Sequence, residues 1–290
     1  MSANRTAKIR CRSKPDNTVK MKLTCRDREV IKTVAFHGAA SRGQLMALGY
    51  FKSVSRANRR LRQLFDCNYL RRTQVASGPY SLETVYLLGA KGVSVVAEAA
   101  ITNRLELSRH SQRPPQRTYL EHHLGVLSLR IAMQLTPPGT CLHEFLTEPE
   151  CRHEYEIVKG SRKMKRVIKP DGFASVQLGE RSYVFFIEYD RGNCSIPQMR
   201  EVVGRYAAYL VEGAFESVYS EDRFDVLVVT TAGKRRIDHL LAVAKTLAVN
   251  VRFATVEDLN ASGFYGPIWL DCLNGIKAPL LQLGNEDGRT

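Results

Sequence analysis

Apolar residues in the first third of the chain repeat at helical spacing. Val30, Ile31, Val34 and Ala35 form one stripe, which predicts a helix that starts near Asp27, a suitable N-cap, and ends at His37-Gly38. Ser41 is placed to cap a short second helix carrying Leu45, Met46 and Leu48. In the segment SVSRANRRLRQLF, Val54, Ala57, Leu61 and Leu64 fall on one face, while Arg56, Asn58, Arg59, Arg60, Arg62 and Gln63 fall on others. Two strand-like runs follow, 69–75 and 84–88, joined by the turn-rich SGPYS. Three helices and a two-stranded ribbon in this order predict a winged helix-turn-helix.

A further helix is expected from Ala90. The polar stretch SRHSQRPPQRT at 108–118 contains two prolines and predicts a domain boundary. Beyond it the pattern changes. A helix is expected over 119–135, stopped by Pro137-Pro138, then a strand over 141–149 and a basic loop, KGSRKMKR, within 154–169. VIKPDGFASVQL and RSYVFFIEYD read as two strands joined by a turn at Gly179-Glu180. A helix over 195–210, a buried strand at FDVLVVTT, a helix over 236–248 and a strand at VRFATV complete the series. No glycine-rich phosphate loop accompanies it, which excludes a nucleotide-binding Rossmann domain. The fold class is α/β, α+β overall: a basic arm (1–22), a winged helix (23–107), a linker (108–118), an α/β domain with a central mixed sheet (119–275) and a tail (276–290).

Charge sharpens this picture. Residues 1–72 hold 18 Lys and Arg against 4 Asp and Glu, which accounts for the whole net charge of +14. A solvated face usually mixes signs, and no amphipathic helix with an exposed apolar side accompanies the charge, so a membrane surface is the weaker partner. A polyanion, double-stranded DNA, is the better one. In a winged helix the third helix enters the major groove, so Arg56, Asn58, Arg59, Arg60 and Arg62 are the candidate DNA-binding residues. Arg71 and Arg72 of the ribbon are candidates for phosphate contact. The other reading is that these arginines only solvate a bundle helix. No run of about 18 apolar residues is present, the first residues lack the apolar stretch of a secretory signal, and seven scattered cysteines suit a reducing cytoplasm.

The second half carries a different chemistry. With a tight turn at 179–180, residues whose numbers sum to 359 face each other, which sets Asp171 opposite Glu188 and Lys169 opposite Asp190. Opposed carboxylates destabilise a sheet unless a cation neutralises them. Mg²⁺ is one such cation; a loop arginine, Arg166 or Arg191, is the other reading. Cys141-x-His143 and Cys151-x-His153 match no common zinc spacing.

KPDG at 169–172 with IEYDRG at 187–192 resembles the PD-(D/E)XK nucleases, in which Asp and Glu hold Mg²⁺ and a lysine helps activate water. Pro170-Asp171 and Glu188 match, but Asp190 stands where that lysine belongs. The resemblance makes Asp171, Glu188, Asp190 and Lys169 the catalytic candidates. Lys169 is either a displaced catalytic lysine or a salt-bridge partner of Asp190. Asp171 and Glu188 are the candidate metal ligands, with Glu121 of the preceding helix as a further one. Over about residues 25–256 the chain also resembles the replication-relaxation family of plasmid and mobile-element proteins. That likeness rests on the winged helix, an early helical histidine (His122 or His123), PDG, the string IEYDRG and a following helix with Arg205-Tyr206. Asp190 in place of lysine is usual in that group. The resemblance implies a DNA-binding protein acting in replication, relaxation or mobilisation, alongside other proteins of those processes, with a nuclease-like domain that supplies a second DNA or partner contact. The alternative is a Mg²⁺-dependent endonuclease using Asp171, Glu188 and Lys169.

Overall fold

The computed structural model describes Pro15 and residues 20–76, 81–97, 116–159, 162–219 and 221–281. The basic arm, except Pro15 and residues 20–22, lies outside the described residues, as do most of the 108–118 stretch, most of SGPYS and the end of the tail. The chain divides into two compact units, 1–131 and 132–290.

The first unit runs α1 (Cys25–Phe36), β1 (Ala40–Ser41), α2 (Arg42–Ala47), α3 (Val54–Asp66), β2 (Leu70–Ala76), β3 (Leu82–Leu88), α4 (Ala90–Ala97) and most of α5 (Arg117–Gln134). Its antiparallel sheet has the order β1-β3-β2, with Leu70 opposite Leu88 and Ala40 opposite Tyr86. Three helices and a ribbon therefore stand where the apolar periodicity places them. The N-cap of α1 is Thr24 rather than Asp27. Asp27 is the third helical residue of a capping box, and its carboxylate accepts from the Thr24 N–H at 2.7 Å. α2 and α3 start on Ser41 and Ser53, whose hydroxyls accept from the N–H groups of Gln44 and Arg56.

Val30, Ile31 and Val34 of α1, Leu45 of α2, and Ala57, Leu61 and Leu64 of α3 meet Leu70, Tyr86 and Leu88 in one core. α5 also belongs here, which corrects the boundary expected at 108–118. Leu127 joins that core, and Leu120 packs with Val75, Val85 and Leu87. Gln44 donates to the Leu124 carbonyl at 2.7 Å and to the Ser128 hydroxyl at 2.9 Å. Arg130 lies 2.8 Å from the buried ring of His37, whose pKa is lowered to about 3 by burial and then by the Arg130 charge. Gly38 (φ +74°) is needed where α5 passes, because a Cβ there would sit 2.7 Å from the Tyr119 hydroxyl. The prolines at 114–115 mark a break in composition, but the apolar face of α5 chooses its neighbours.

In the second unit a seven-stranded mixed sheet has the order β12-β11-β10-β9-β8-β7-β4. These strands are β4 (Thr140–Thr147), β7 (Gly172–Leu178), β8 (Arg181–Asp190), β9 (Asp225–Thr230), β10 (Asn250–Thr255), β11 (Trp269–Asp271) and β12 (Lys277–Ala278). β8, β9 and β10 are parallel. α7 (Ile196–Val211) and α9 (Gly233–Ala244) contribute Val203, Tyr206, Ile237 and Leu240 to a core with Phe186, Val226, Val228 and Phe253. Short helices α6 (Glu148–Cys151), α8 (Glu216–Tyr219) and α10 (Val256–Ser262) complete the unit. The basic segment expected as a loop is a separate two-stranded ribbon, β5 (His153–Lys159) with β6 (Arg162–Ile168). Its polar residues dominate the sequence pattern there. No helix among the described residues is long and apolar enough to cross a membrane.

One candidate DNA-contacting residue is built into this framework instead. Arg60 donates to both carboxylate oxygens of the buried Asp27, at 2.8 and 2.5 Å, and to the Lys22 carbonyl at 3.0 Å. Arg60→Ala strands a buried carboxylate and is expected to cost about 1.5–3 kcal/mol of stability, the range for hydrogen bonds to charged groups. Chemical denaturation of the full chain measures it, and an unchanged midpoint would return Arg60 to the DNA-facing set.

Candidate functional site

Two places in the molecule carry the residues singled out by the sequence. The first is the outer face of α3. Burial of Ala57, Leu61 and Leu64 turns Arg56, Asn58, Arg59 and Arg62 outward, and all four are exposed. Asn58 accepts from Arg42 of α2 at 2.9 Å, and Arg62 pairs with Asp66 at 2.7 Å. Arg56 and Arg59 have no side-chain partner among the described residues. Arg71 and Arg72 of β2 are half-buried: Arg71 donates to the Leu88 carbonyl at 3.3 Å, and the Arg72 guanidinium lies 4.2 Å from the centre of the Phe65 ring. Packing thus takes up Arg60, Arg71 and Arg72, and leaves Arg56, Asn58, Arg59 and Arg62 with Arg42 on an outward basic face.

The second place is the end of the β7–β8 hairpin. Gly172 pairs with Ile187 and Phe173 with Phe186, the register expected from the turn at Gly179-Glu180. Asp171 stands just outside β7. Its N–H donates to the Ile187 carbonyl at 3.1 Å, and its carboxylate accepts from the Tyr189 N–H at 2.8 Å. Asp171 and Glu188 are thereby brought near one another. Glu188 is half-buried, and its carboxyl accepts from the buried Tyr206 hydroxyl of α7 at 2.5 Å. Loss of water around the Glu188 carboxyl, and then the neighbouring Asp171 carboxylate, hold its pKa well above the usual range against the pull of Tyr206 and Arg205.

The other two catalytic candidates do not join this pair. The register stops at Pro170, which has no N–H to continue a ladder, so Lys169 is not held opposite Asp190. Lys169 instead pairs with Glu148 at the start of α6, at 2.8 Å. Asp190 is closed to solvent and gripped from three sides. Arg236 of α9 donates to both its oxygens at 2.9 and 3.1 Å, the Thr230 hydroxyl donates at 2.8 Å, and the Gly192 N–H at 3.1 Å. Gly192 (φ +74°) closes this corner, where a Cβ would meet Ala232 at 2.6 Å. Asp190 is thus held in a buried ion pair, and its partner Arg236 has no signal in the sequence beyond a charge at the start of a helix. Glu121 lies in the first unit and pairs with Arg117. His153 bonds the Tyr209 hydroxyl at 2.8 Å, and the buried Cys151 thiol donates to the Pro170 carbonyl at 3.8 Å. Tyr206 and Tyr209 lie in the core.

Among the described residues no three His, Cys, Asp or Glu side chains gather to hold a metal, and one Glu188 oxygen already accepts a hydrogen bond from the Tyr206 hydroxyl.

The sequence pattern of the replication-relaxation family matches residues 31–221, a span that contains both places. The chain belongs to that family. Its string IEYDRG is the end of β8 and the corner closed by Asp190, Gly192 and Arg236. No curated protein matches the chain. Among solved structures, the restriction endonuclease FokI is similar at 13% identity and a TM-score of 0.30, over 82% of this chain and 43% of FokI. FokI bound to DNA is similar at 14% identity and a TM-score of 0.28, over 81% of this chain and 43% of that one. This chain spans less than half the length of those FokI chains, and likeness of this size assigns no activity.

The raised pKa of Glu188 makes a testable statement about pH. The folded state holds a proton that the unfolded chain releases near pH 4.5, so stability falls as pH rises from that value towards the higher folded pKa. Glu188→Gln keeps an acceptor for Tyr206 and removes the titration. The variant is expected to match wild type near pH 4 and to exceed it in melting temperature at pH 8. A gap that is constant across that range would show that Glu188 does not carry the proton.

Proposed function

We propose that this protein is a DNA-binding member of the replication-relaxation family, whose first unit is a winged helix that presents α3 to the major groove of duplex DNA. On this reading it serves a plasmid or other mobile element in replication, relaxation or mobilisation, together with other proteins of those processes. The observation that carries the reading is the outer face of α3. Arg56 and Arg59 stand exposed beside Asn58, on the one quarter of the chain that holds all of its excess positive charge. Arginine and asparagine are suited to base edges in the major groove, and Arg42 and Arg62 flank them at the positions where phosphates would run.

The sheet-bearing unit is the less active partner. Its carboxylate pair supports a proton-sharing, structural reading better than a metal centre, because Lys169 is engaged by Glu148 and Asp190 by Arg236. The Mg²⁺-dependent endonuclease is the second reading, favoured by the closeness of Asp171 and Glu188 across the hairpin.

Two measurements separate these readings. Arg56→Ala and Arg59→Ala are each expected to weaken duplex binding by about 1–3 kcal/mol if the side chain reads a base, with the melting temperature unchanged. Wild-type affinity in both variants would sink the groove-binding proposal. Purified protein incubated with supercoiled plasmid and Mg²⁺ or Mn²⁺ is expected to leave it uncut. Cleavage that is lost in Asp171→Ala and Glu188→Ala would establish the endonuclease.

A further inference from the structure

The β5–β6 ribbon of the second unit has two unlike faces. In an antiparallel ladder, paired residues share a face. Glu154 pairs with Val167 and Glu156 with Lys165, and Lys163 lies 4.0 Å from Glu156, so on this face acids and bases offset one another. The other face pairs Tyr155 with Arg166 and Ile157 with Met164, and carries Arg162 one step further on. Arg162 and Arg166 are both exposed and have no ion-pair partner among the described residues. Between them Met164 keeps 38% of its surface open. At its base the ribbon is fixed rather than adrift: Ile168 is in the core, His153 bonds Tyr209, and the Tyr155 ring lies 5.1 Å from that of Tyr209. Glu212 is the acid near this end, and it engages the Tyr155 hydroxyl.

A two-stranded ribbon with two exposed arginines beside an apolar pair is complementary to a nucleic-acid groove. The major groove of B-form DNA admits a two-stranded ribbon. Arginines reach its phosphates and base edges, and apolar side chains meet thymine methyl groups. An acidic protein surface offers the same charge without the groove.

We infer that the Arg162–Met164–Arg166 face of this ribbon is a second duplex-DNA contact, separate from α3. This rests on duplex DNA being the ligand, and places one contact in each unit. Each contact contributes its own charge to the salt dependence of binding.

The test is anisotropy titration of the full-length protein on a fluorescent 30-base-pair duplex at several salt concentrations. It compares wild type with Arg162→Ala/Arg166→Ala, Lys163→Ala/Lys165→Ala and Arg56→Ala/Arg59→Ala. The first two doubles remove the same charge from opposite faces of one ribbon, and melting temperatures confirm that each variant is folded. The arginine double is expected to bind about tenfold more weakly, with the slope of log affinity against log salt reduced by about 2. The lysine double is expected to lose much less. Equal losses from both faces would mean that only net charge is sensed, and would overturn the inference. An unchanged arginine double would also overturn it, and would direct the search to an acidic protein partner. Weakening by Arg56→Ala/Arg59→Ala alone leaves the α3 reading standing without the ribbon. Weakening by the ribbon double alone does the reverse.

Discussion

The second unit depends on a buried ion pair. Asp190 ends β8 with its side chain sealed from water, and Arg236 meets it with two hydrogen bonds while being itself only 11% exposed. Removing one partner of such a pair leaves an uncompensated charge and commonly costs about 3–5 kcal/mol. The pair ties β8 to α9, and Thr230 draws in the neighbouring strand β9. Two residues earlier on the same face, Glu188 ties β8 to α7 through Tyr206. The string IEYDRG is thus a fastening point, where one strand secures two helices and a second strand.

This explains why a lysine would be out of place at 190. A positive group there would face Arg236 across 2.9 Å and leave the Thr230 hydroxyl and Gly192 N–H without an acceptor. Asp190 holds this corner together through Arg236, Thr230 and Gly192. Nearby, the Asp171 carboxylate accepts from the Tyr189 N–H and the Glu188 carboxyl from the Tyr206 hydroxyl.

Much of this was legible in the sequence, and the failures have physical causes. The helices of the first unit, the turn at Gly179-Glu180 and the 359 register follow from apolar spacing and one glycine turn, both local signals. Misassigned features turned on long-range partners. Arg60 reads as a DNA contact until Asp27, 33 residues away, claims it. Asp190 reads as catalytic until Arg236, 46 residues on, is placed beside it. α5 was expected in the second domain because prolines precede it, yet Leu120 and Leu127 pack in the first. The β5–β6 ribbon reads as a loop from its run of Lys and Arg at 159–166, although Tyr155 and Ile157 alternate with Glu154 and Glu156.

The two units therefore carry their charge differently. The first concentrates positive charge on α3 and leaves it exposed. The second ties Asp190 to Arg236 and Lys169 to Glu148, and among its exposed positive residues are Arg162 and Arg166 on one face of the β5–β6 ribbon. The most direct test of the central claim is photocrosslinking of the full-length protein to a bromodeoxyuridine-substituted duplex, with crosslinked peptides mapped by mass spectrometry. The expected result is crosslinks within Val54–Asp66, on the Arg56 and Arg59 face. Crosslinks confined to other segments, with none in that helix, would contradict it.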